Sequence, residues 1–399
     1  MIYMNHAATC FPIPEEVIQA IAQAMRTFGN AGRGVNETSL SASRCLASLR
    51  EELANLMGLS YPERVVFTDN ATYALNMAIM GLCDLDRRGL DYAKLKPGDH
   101  IITADTSHNA VLRPLYRLLR HGFVIDYLPA DKNGDINLEE LETMIVPETK
   151  MVVLSHASNL TGKVIDVSKI GDLCQKHGLI FILDTAQTAG AYPINMEKDH
   201  IDIVCFTGHK ALLGPQGTGG LLVSPEIKLN PLIIGGTGVH SFDLIMPEDW
   251  PEHMEAGTLN AQGLAGLLAG VRLIRRIGIR EIMDRESALR IYFEKGLREI
   301  PGVHLYGRDR EDGAAYLPIT LLNLKGIQAG ELADVLSTDY GIQVRAGGHC
   351  APRMHQALGT DRISAVRFSF AYSTTKEEID QALNALGEIS AELREEGSC

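Results

Sequence analysis

Two ionisable residues end neighbouring predicted strands and could act on the same small molecule. The β-branched run Ile203-Val204-Cys205 predicts a buried strand, and Lys210 follows it in the segment Phe206-Thr207-Gly208-His209-Lys210. The preceding predicted strand, Ile180 to Leu183, ends at Asp184. Because open α/β sheets bind ligands at the carboxyl ends of their strands, we expect the ammonium and the carboxylate on one rim.

This lysine and aspartate have a defined chemical use together. A lysine amine can form a Schiff base with pyridoxal phosphate, and an acidic partner can keep the pyridine nitrogen protonated, so that the ring withdraws electrons. The alternative is an ion pair that only stabilises two strand ends, which is common in proteins. The other polar residues predicted on the same rim favour the chemical interpretation.

Several strand-to-helix junctions should bring polar groups to this rim. A helix is predicted to begin at Ala71 and Thr72, where free backbone N–H groups and the helix dipole suit a phosphate. His108 follows another strand, and its flat ring could cover a flat cofactor. Asn159 and Gln187 follow two further strands. Taken singly, each of these positions is also explained by an ordinary capped turn.

A second reactive segment, Arg345-Ala346-Gly347-Gly348-His349-Cys350-Ala351-Pro352, lies far along the chain. Its glycines and proline predict a mobile loop, and nearby positive charge favours the nucleophilic thiolate form of Cys350. A zinc site at His349, Cys350 and His355 is an alternative, although no second pair at finger spacing completes four ligands. Arg367, in a predicted strand, could hold a carboxylate through two hydrogen bonds or only extend to solvent.

Bulk composition narrows the class of protein. The chain has 399 residues, enough for about two domains. Its net charge of −13, without a basic cluster, argues against nucleic-acid binding. No secretory signal or membrane-spanning segment is predicted. The 7 cysteines are odd in number and scattered, which indicates reduced thiols in a cytoplasmic protein rather than a disulfide framework.

Alternating strands and helices must position these residues. From about residue 65 to 223 they recur at βαβ spacing, which predicts a mostly parallel sheet with helices on both faces. Two long amphipathic helices follow, Leu264 to Ile277 and Ile282 to Ile300. An antiparallel strand pattern begins near Ala315, and we expect the last helix, Lys376 to Glu395, to face solvent because it is strongly charged.

The chain resembles the class V aminotransferase superfamily of fold-type I pyridoxal-phosphate enzymes, and within it the cysteine desulfurase and selenocysteine lyase branch. The likeness runs from Asn5-His6-Ala7-Ala8 to Arg367. Its most specific pieces are Thr207-Gly208-His209-Lys210, followed by Gly214-Pro215, and Arg345-Ala346-Gly347-Gly348-His349-Cys350.

The resemblance implies an α/β fold of two domains. A large pyridoxal-phosphate-binding domain, residues 15–257, would hold a mostly parallel seven-stranded sheet flanked by helices. A smaller α+β domain would combine residues 1–14 with 258–399. The resemblance also implies a homodimer.

The resemblance assigns a role to each singled-out residue. Lys210 would bind the cofactor covalently and move the Cα proton, His108 would stack on the ring, and Cys350 would attack the substrate sulfur. The implied cofactor-binding residues are Ala71, Thr72, His108, Asn159, Asp184, Gln187, Thr207, His209, Lys210 and, from a second subunit, Thr258. The implied substrate-binding residues are Asn159, Arg345 and Arg367, and no metal is implied.

The function expected from this resemblance is conversion of L-cysteine to L-alanine, with the sulfur held as a persulfide on Cys350 for an acceptor protein. It would serve iron–sulfur cluster or thio-cofactor synthesis. Other reactions on the same scaffold stay open, namely those of a selenocysteine lyase, a cysteine desulfhydrase or an epimerase. A catalytically silent scaffold that binds a sulfur-acceptor protein is the alternative from another class.

Overall fold

The computed structural model describes residues 1–32, 34–84, 92, 94–307 and 314–396 of the chain. Cys399, one of the seven cysteines, lies outside these residues. Among the helices in the described ranges, none is both long enough and apolar enough to cross a membrane.

The strands of the described residues form three sheets. They are β1 (Ile2–Tyr3), β2 (Val65–Thr68), β3 (His100–Ala104), β4 (Val124–Leu128), β5 (Thr149–Ser155), β6 (Ile180–Asp184), β7 (Ile203–Thr207), β8 (Gly219–Val223), β9 (Val303–Tyr306), β10 (Ile319–Leu324), β11 (Ile342–Gln343), β12 (Arg345–Gly347) and β13 (Ala365–Ser369).

The helices pack on and around these sheets. They are α1 (Glu15–Thr27), α2 (Glu37–Met57), α3 (Ala71–Gly81), α4 (Asn109–Arg120), α5 (Leu138–Met144), α6 (Val167–His177), α7 (Ala261–Ile277), α8 (Ile279–Arg298), α9 (Ala329–Thr338), α10 (Pro352–Ala357) and α11 (Lys376–Glu396).

The largest sheet has 7 strands in the order β2-β8-β7-β6-β5-β3-β4. All neighbours from β7 to β4 run parallel, whereas β8 is antiparallel to both β7 and β2. The predicted mostly parallel sheet is therefore confirmed. Its register sets Ser155 beside Asp184, and Asp184 beside Cys205, so the ends of β5, β6 and β7 meet at one edge.

The central strands are apolar throughout because helices cover both faces of the sheet. In β6, Phe181 and Leu183 join the core under one face, and Ile180 and Ile182 join the core under the other. Burying each such side chain stabilises the fold by about 1.5–3 kcal/mol. The sheet is thus a rigid support for the polar residues at its carboxyl edge.

A smaller unit is built on the antiparallel sheet β12-β13-β10-β9. Its core contains one face of α11, with Ile379, Leu386 and Ile389 all buried. The expectation that this last helix faces solvent is therefore wrong. Its charged residues dominate the composition, but its apolar residues recur at helical spacing and cover the small sheet.

The long helices α7 and α8 join the two units. Leu267 and Ile274 of α7, and Ile282 of α8, belong to the core of the large sheet, whereas Phe293 of α8 belongs to the core of the small one. The two helices therefore contribute to both cores, and the domain boundary at 257/258 stays a prediction.

Candidate active site

Asp184 is held at the carboxyl edge of the large sheet by two hydrogen bonds. Its Oδ2 accepts from Ser155 Oγ at 3.2 Å, and its Oδ1 accepts from the backbone N–H of Ala186 at 3.0 Å. The residue is buried, so its orientation is fixed. Ser155 was not singled out from the sequence, although its place at the end of the strand beside β6 was the available signal.

His108 stands next to this carboxylate as the N-cap of α4. Its Nδ1 accepts the backbone N–H of Ala110 at 3.0 Å, while its own backbone N–H donates to Ser155 Oγ at 3.4 Å. Burial is the main cause that lowers the pKa of His108 to about 4, and Asp184 opposes the shift. The ring is therefore neutral, with its proton on Nε2, and can lie flat against an aromatic group.

The Lys210 amine lies within electrostatic reach of Asp184, as the strand pattern predicts. Burial lowers the pKa of Lys210 to about 8, Asp184 acts in the opposite direction, and Arg367 and Arg345 add to the lowering. A free amine is therefore present in a sizeable fraction near neutral pH, and this is the form that reacts with an aldehyde.

Hydrogen-bond donors that could bind a phosphate lie where β7, β8 and α3 meet. Within the described residues, Thr207 Oγ1 is buried and has no hydrogen-bond partner. Thr207 pairs with Gly219 of β8, and a Cβ at Gly219 would lie 2.6 Å from the Cα of Asn70, so a glycine allows the start of α3 to approach. Asn70 Oδ1 caps Tyr73 N–H and leaves the N–H groups of Ala71 and Thr72 facing outward from the helix end.

Three further predicted cofactor residues occupy different surroundings. His209 Nδ1 hydrogen-bonds Thr9 Oγ1 at 3.0 Å, and burial lowers its pKa to about 4. Gln187 Nε2 donates to the carbonyl of Ala7 at 3.1 Å, and Gln187 lines a cavity of about 470 Å³ together with Lys210. Thr258 is exposed and lines a cavity of about 680 Å³ beside α2, so its contribution from a second subunit stays a prediction.

Arg367 is a buried cation without a carboxylate in contact among the described residues. It is 1% exposed, and its Nη1 and Nη2 donate to the carbonyl of Asn159 at 3.0 Å and to Asn5 Oδ1 at 3.2 Å. Its Nε has no partner in the described part of the chain. Arg345 lies directly opposite on β12, and burial followed by this second cation lowers the pKa of Arg367 to about 9. A carboxylate bound here would accept a hydrogen bond from Nε and would offset the repulsion between the two cations.

The segment that carries Cys350 is more regular than a mobile loop. The expectation of a loop over 345–352 is wrong at both ends, since β12 runs through Gly347 and α10 begins at Pro352. Between them, the carbonyl of His349 accepts Asn159 Nδ2 at 2.8 Å, and the carbonyl of Cys350 accepts the backbone N–H of Asn109 at 2.8 Å. The backbone is thus bound to the large unit while the Cys350 thiol is exposed.

These donors fit pyridoxal phosphate. Lys210 has a lowered pKa, and Asp184 is a carboxylate fixed by hydrogen bonds. His108 supplies a neutral imidazole, and Thr207 supplies a buried hydroxyl that has no partner among the described residues. Cys350 lies close enough to Lys210 and Arg367 for their charges to interact. The site can therefore combine amine chemistry at a carbon with nucleophilic chemistry at a sulfur.

Comparisons with known proteins agree with this arrangement. The family model of aminotransferase class V matches residues 2–382. A probable cysteine desulfurase of Methanothermobacter thermautotrophicus is 32% identical over 98% of this chain and 94% of its own length. A cysteine desulfurase IscS of Pectobacterium carotovorum is 32% identical over 99% and 94%. The apo structure of a cysteine desulfurase from Thermococcus onnurineus NA1 superposes with a TM-score of 0.90 at 32% identity, covering 98% of this chain and 94% of that one.

Proposed function

The chain belongs to the aminotransferase class V family, and from that premise we propose that it is a pyridoxal-phosphate-dependent cysteine desulfurase. It converts L-cysteine to L-alanine and keeps the sulfur as a persulfide on Cys350. One observation carries the proposal: an exposed cysteine lies within electrostatic reach of Lys210 and Arg367. Asn109 binds the carbonyl of this cysteine, and Asn159 binds the carbonyl of the residue before it. A lysine site alone would suit many amino-acid reactions, and the cysteine adds chemistry at sulfur.

Each part of the cofactor has a group of this chain to hold it. Lys210 would bind its aldehyde carbon, Asp184 would pair with the pyridine nitrogen, and the neutral ring of His108 would cover one face. The residues that bind the phosphate are Ala71, Thr72, Thr207 and His209, with Thr258 from a second subunit. Gln187 and Asn159 contact the ring substituents. When bound, pyridoxal phosphate supplies an electron sink for the bonds at the substrate Cα.

The side chains around the substrate bind it and move its proton. Arg367 holds the α-carboxylate with its spare donor capacity, and Arg345 adds a second positive charge beside it. This orients the Cα–H bond toward Lys210. Because the pKa of Lys210 is about 8, its amine can take this proton near neutral pH and return a proton later.

Cys350 carries out the sulfur step. Its thiolate forms a bond to the substrate sulfur, and the bond between that sulfur and the substrate Cβ breaks. The electron pair of the broken bond stays on carbon, which takes up one proton to become the methyl group of alanine, and the transferred sulfur keeps its own proton. Cys350 is left as a persulfide on an exposed residue, where an acceptor protein can collect the sulfur for clusters or thio-cofactors.

A homodimer and a cytoplasmic location complete the proposal. Exposed apolar side chains on the segment 232–245 support a subunit contact, because Phe242 and Leu244 are 101% and 104% exposed in the single chain. The same irregular region leads to Thr258. The cysteines of the described residues are free thiols, which is typical of a reducing compartment.

Mass spectrometry tests the proposed function. The purified protein, loaded with pyridoxal phosphate, is incubated with L-cysteine, and the thiols are then alkylated and digested. We expect one added sulfur on Cys350, loss of that sulfur and of alanine release in Cys350→Ala, and normal turnover in the control Cys45→Ala. Unchanged alanine release by Cys350→Ala would contradict the persulfide mechanism, and a protein that stays colourless with the cofactor would support the silent scaffold.

A further inference from the structure

A series of hydrogen bonds next to Cys350 in sequence runs from Arg345 of β12 to Thr360, which follows α10. His349 Nε2 lies 3.0 Å from the carbonyl oxygen of Arg345, and His349 Nδ1 lies 3.3 Å from His355 Nε2. His355 Nδ1 in turn lies 2.7 Å from Thr360 Oγ1. The two imidazole rings are nearly parallel, with an interplanar angle of 15°.

The protons in this chain have only one consistent arrangement. A carbonyl oxygen can only accept, so His349 donates its Nε2–H to Arg345. Burial lowers the pKa of His349 to about 3 and also lowers that of His355, so both rings are neutral. Nδ1 of His349 is then an acceptor, which His355 fills with its Nε2–H. The remaining nitrogen of His355 accepts, and the hydroxyl of Thr360 donates to it at 2.7 Å, a shorter contact than the 3.4 Å from the same hydroxyl to the carbonyl oxygen of His355.

The chain ends beneath a strained turn. His349 and Cys350 both adopt left-handed backbone conformations, with φ of 48° and 58°. Residues other than glycine rarely do so, and such conformations persist where the surroundings hold them. His349 is 2% exposed, His355 3% and Thr360 fully buried, whereas Cys350 is exposed. The buried ring of His349 is therefore the anchor of the turn that presents the thiol.

We propose that His355 and Thr360 are positioning residues for Cys350 that act through His349. The proposal rests on the proposed function, in which the Cys350 thiolate attacks the substrate sulfur. While these hydrogen bonds are intact, the left-handed turn keeps the thiol at the site of Lys210 and Arg367. When a donor in this series of hydrogen bonds is lost, the ring nitrogen that it served is left buried without a partner. The His349 ring is then held less firmly, and the turn relaxes toward ordinary backbone angles. The step at sulfur then slows, while the binding of L-cysteine to the cofactor is unaffected.

Thr360 offers a matched pair of variants for the test. Thr360→Val removes the hydroxyl with little change of shape, and Thr360→Ser keeps the hydroxyl. Each holoenzyme is mixed with L-cysteine, and the first-turnover rate of persulfide formation on Cys350 is followed by rapid alkylation and mass spectrometry. We expect Thr360→Val to slow this step about tenfold, the effect of one lost buried hydrogen bond, and Thr360→Ser to stay near the wild-type rate.

His355 offers a second pair. Glutamine carries an N–H donor at a reach similar to Nε2 of histidine, whereas leucine leaves His349 Nδ1 buried without a donor. We expect His355→Leu to slow persulfide formation at least as much as Thr360→Val, and His355→Gln to recover part of the rate. In all four variants, the cofactor absorbance change on adding L-cysteine should stay near the wild-type value. The thermal midpoint should fall by no more than a few degrees in Thr360→Val and His355→Leu, the effect of one unsatisfied buried group in a chain of this size.

Three results would overturn the proposal. The first is a wild-type rate of persulfide formation in both Thr360→Val and His355→Leu. The second is an equal loss in Thr360→Ser and Thr360→Val, since packing rather than the hydroxyl would then matter. The third is a parallel loss of the absorbance change and of thermal stability. Failure of the proposed function is distinguishable, because the wild-type protein itself would then form no persulfide on Cys350.

Discussion

At the scale of single residues, the site depends on charges placed where water is scarce. Arg367 is buried and Lys210 is partly buried, and Arg345 adds positive charge beside both of them. Burial makes a positive charge at Lys210 and at Arg367 costly, and Asp184 opposes this effect at Lys210. The site therefore has an excess of positive charge. The carboxylate of an amino-acid substrate and the phosphate of a cofactor would balance this charge. Two predictions test it, one on the amine and one on the guanidinium.

The pH dependence of cofactor capture tests the lowered pKa of Lys210. The neutral amine reacts, and it is the form present above the pKa. With a pKa of about 8, the neutral fraction rises about tenfold from pH 7 to pH 9, whereas an amine with an ordinary pKa of about 10.4 gains about a hundredfold. Stopped-flow absorbance of the apoprotein with pyridoxal phosphate measures this rate. N-acetyl-lysine is the control because the aldehyde is the same in both reactions, and an equal rise for both would disprove the lowered pKa.

Replacement of Arg367 by glutamine tests the carboxylate contact. The variant keeps an amide donor but loses the buried charge, so we expect KM for L-cysteine to rise about ten- to a hundredfold, as for a lost charged hydrogen bond. Steady-state alanine release measures it. The control is Arg362→Gln, whose side chain is exposed. An unchanged KM in Arg367→Gln would show that the carboxylate is bound elsewhere.

At the scale of elements, the cysteine segment and the sheet edge are aligned by close backbone contacts. The start of α3 approaches β8 over Gly219, and the turn before α10 binds α4 through Asn109. The helix α6 before β6 is held similarly, because Gly171 lies against the backbone of Asp199. The close contact between Gly171 and Asp199 therefore helps to position β6, the strand that ends at Asp184.

Substitution of Gly171 tests this contact. A Cβ at this position would lie 1.8 Å from the carbonyl oxygen of Asp199, so Gly171→Ala must move α6 or the following turn. We expect the free energy of unfolding to fall by about 1–3 kcal/mol, the cost of overpacking. Denaturant melts with a cofactor-absorbance readout measure both fold and site.

Gly387→Ala is the matched control for this substitution. Nothing lies within 4 Å of a Cβ at Gly387, which is in α11, so alanine there should be neutral or stabilise by up to about 1 kcal/mol. Equal stability of the two variants would mean that the α6 contact is not tight.

At the scale of the whole molecule, the single chain leaves a large apolar surface uncovered. Seven apolar side chains of the segment 232–245 are exposed: Leu232, Ile233, Ile234, Val239, Phe242, Leu244 and Ile245. Soluble monomers rarely expose so many large apolar side chains within one short segment. In the proposed homodimer this surface is buried, and Thr258 reaches the cofactor of the partner.

Charged substitutions on this surface test the dimer. We expect Phe242→Asp combined with Leu244→Asp to convert the dimer to a monomer and to lower cofactor content, because a phosphate contact is lost with the partner. Light scattering after size exclusion gives the mass, and absorbance gives the bound cofactor. Ile363→Asp, also on an exposed apolar residue, is the control. A double variant that remains dimeric would place the subunit contact elsewhere.

The sequence by itself determined the parallel sheet and the residues at its edge. Short apolar runs rich in β-branched residues, such as Ile180 to Leu183, alternate with helix-length segments and so predict buried parallel strands. The polar residue that ends each run then lies at the carboxyl edge. Asp184, His108 and Lys210 follow from this rule because side-chain periodicity and strand ends are local properties of the chain.

Only the tertiary structure decided which distant groups meet. The support of Asp184 by Ser155, the unpartnered Nε of Arg367, and the chain from Thr360 to His349 depend on register and on docking between the two units. The regular backbone around Cys350 also arises there, since its hydrogen-bond partners lie on Asn109 and Asn159. Such contacts join residues far apart in the chain, and no local pattern of residue types specifies them.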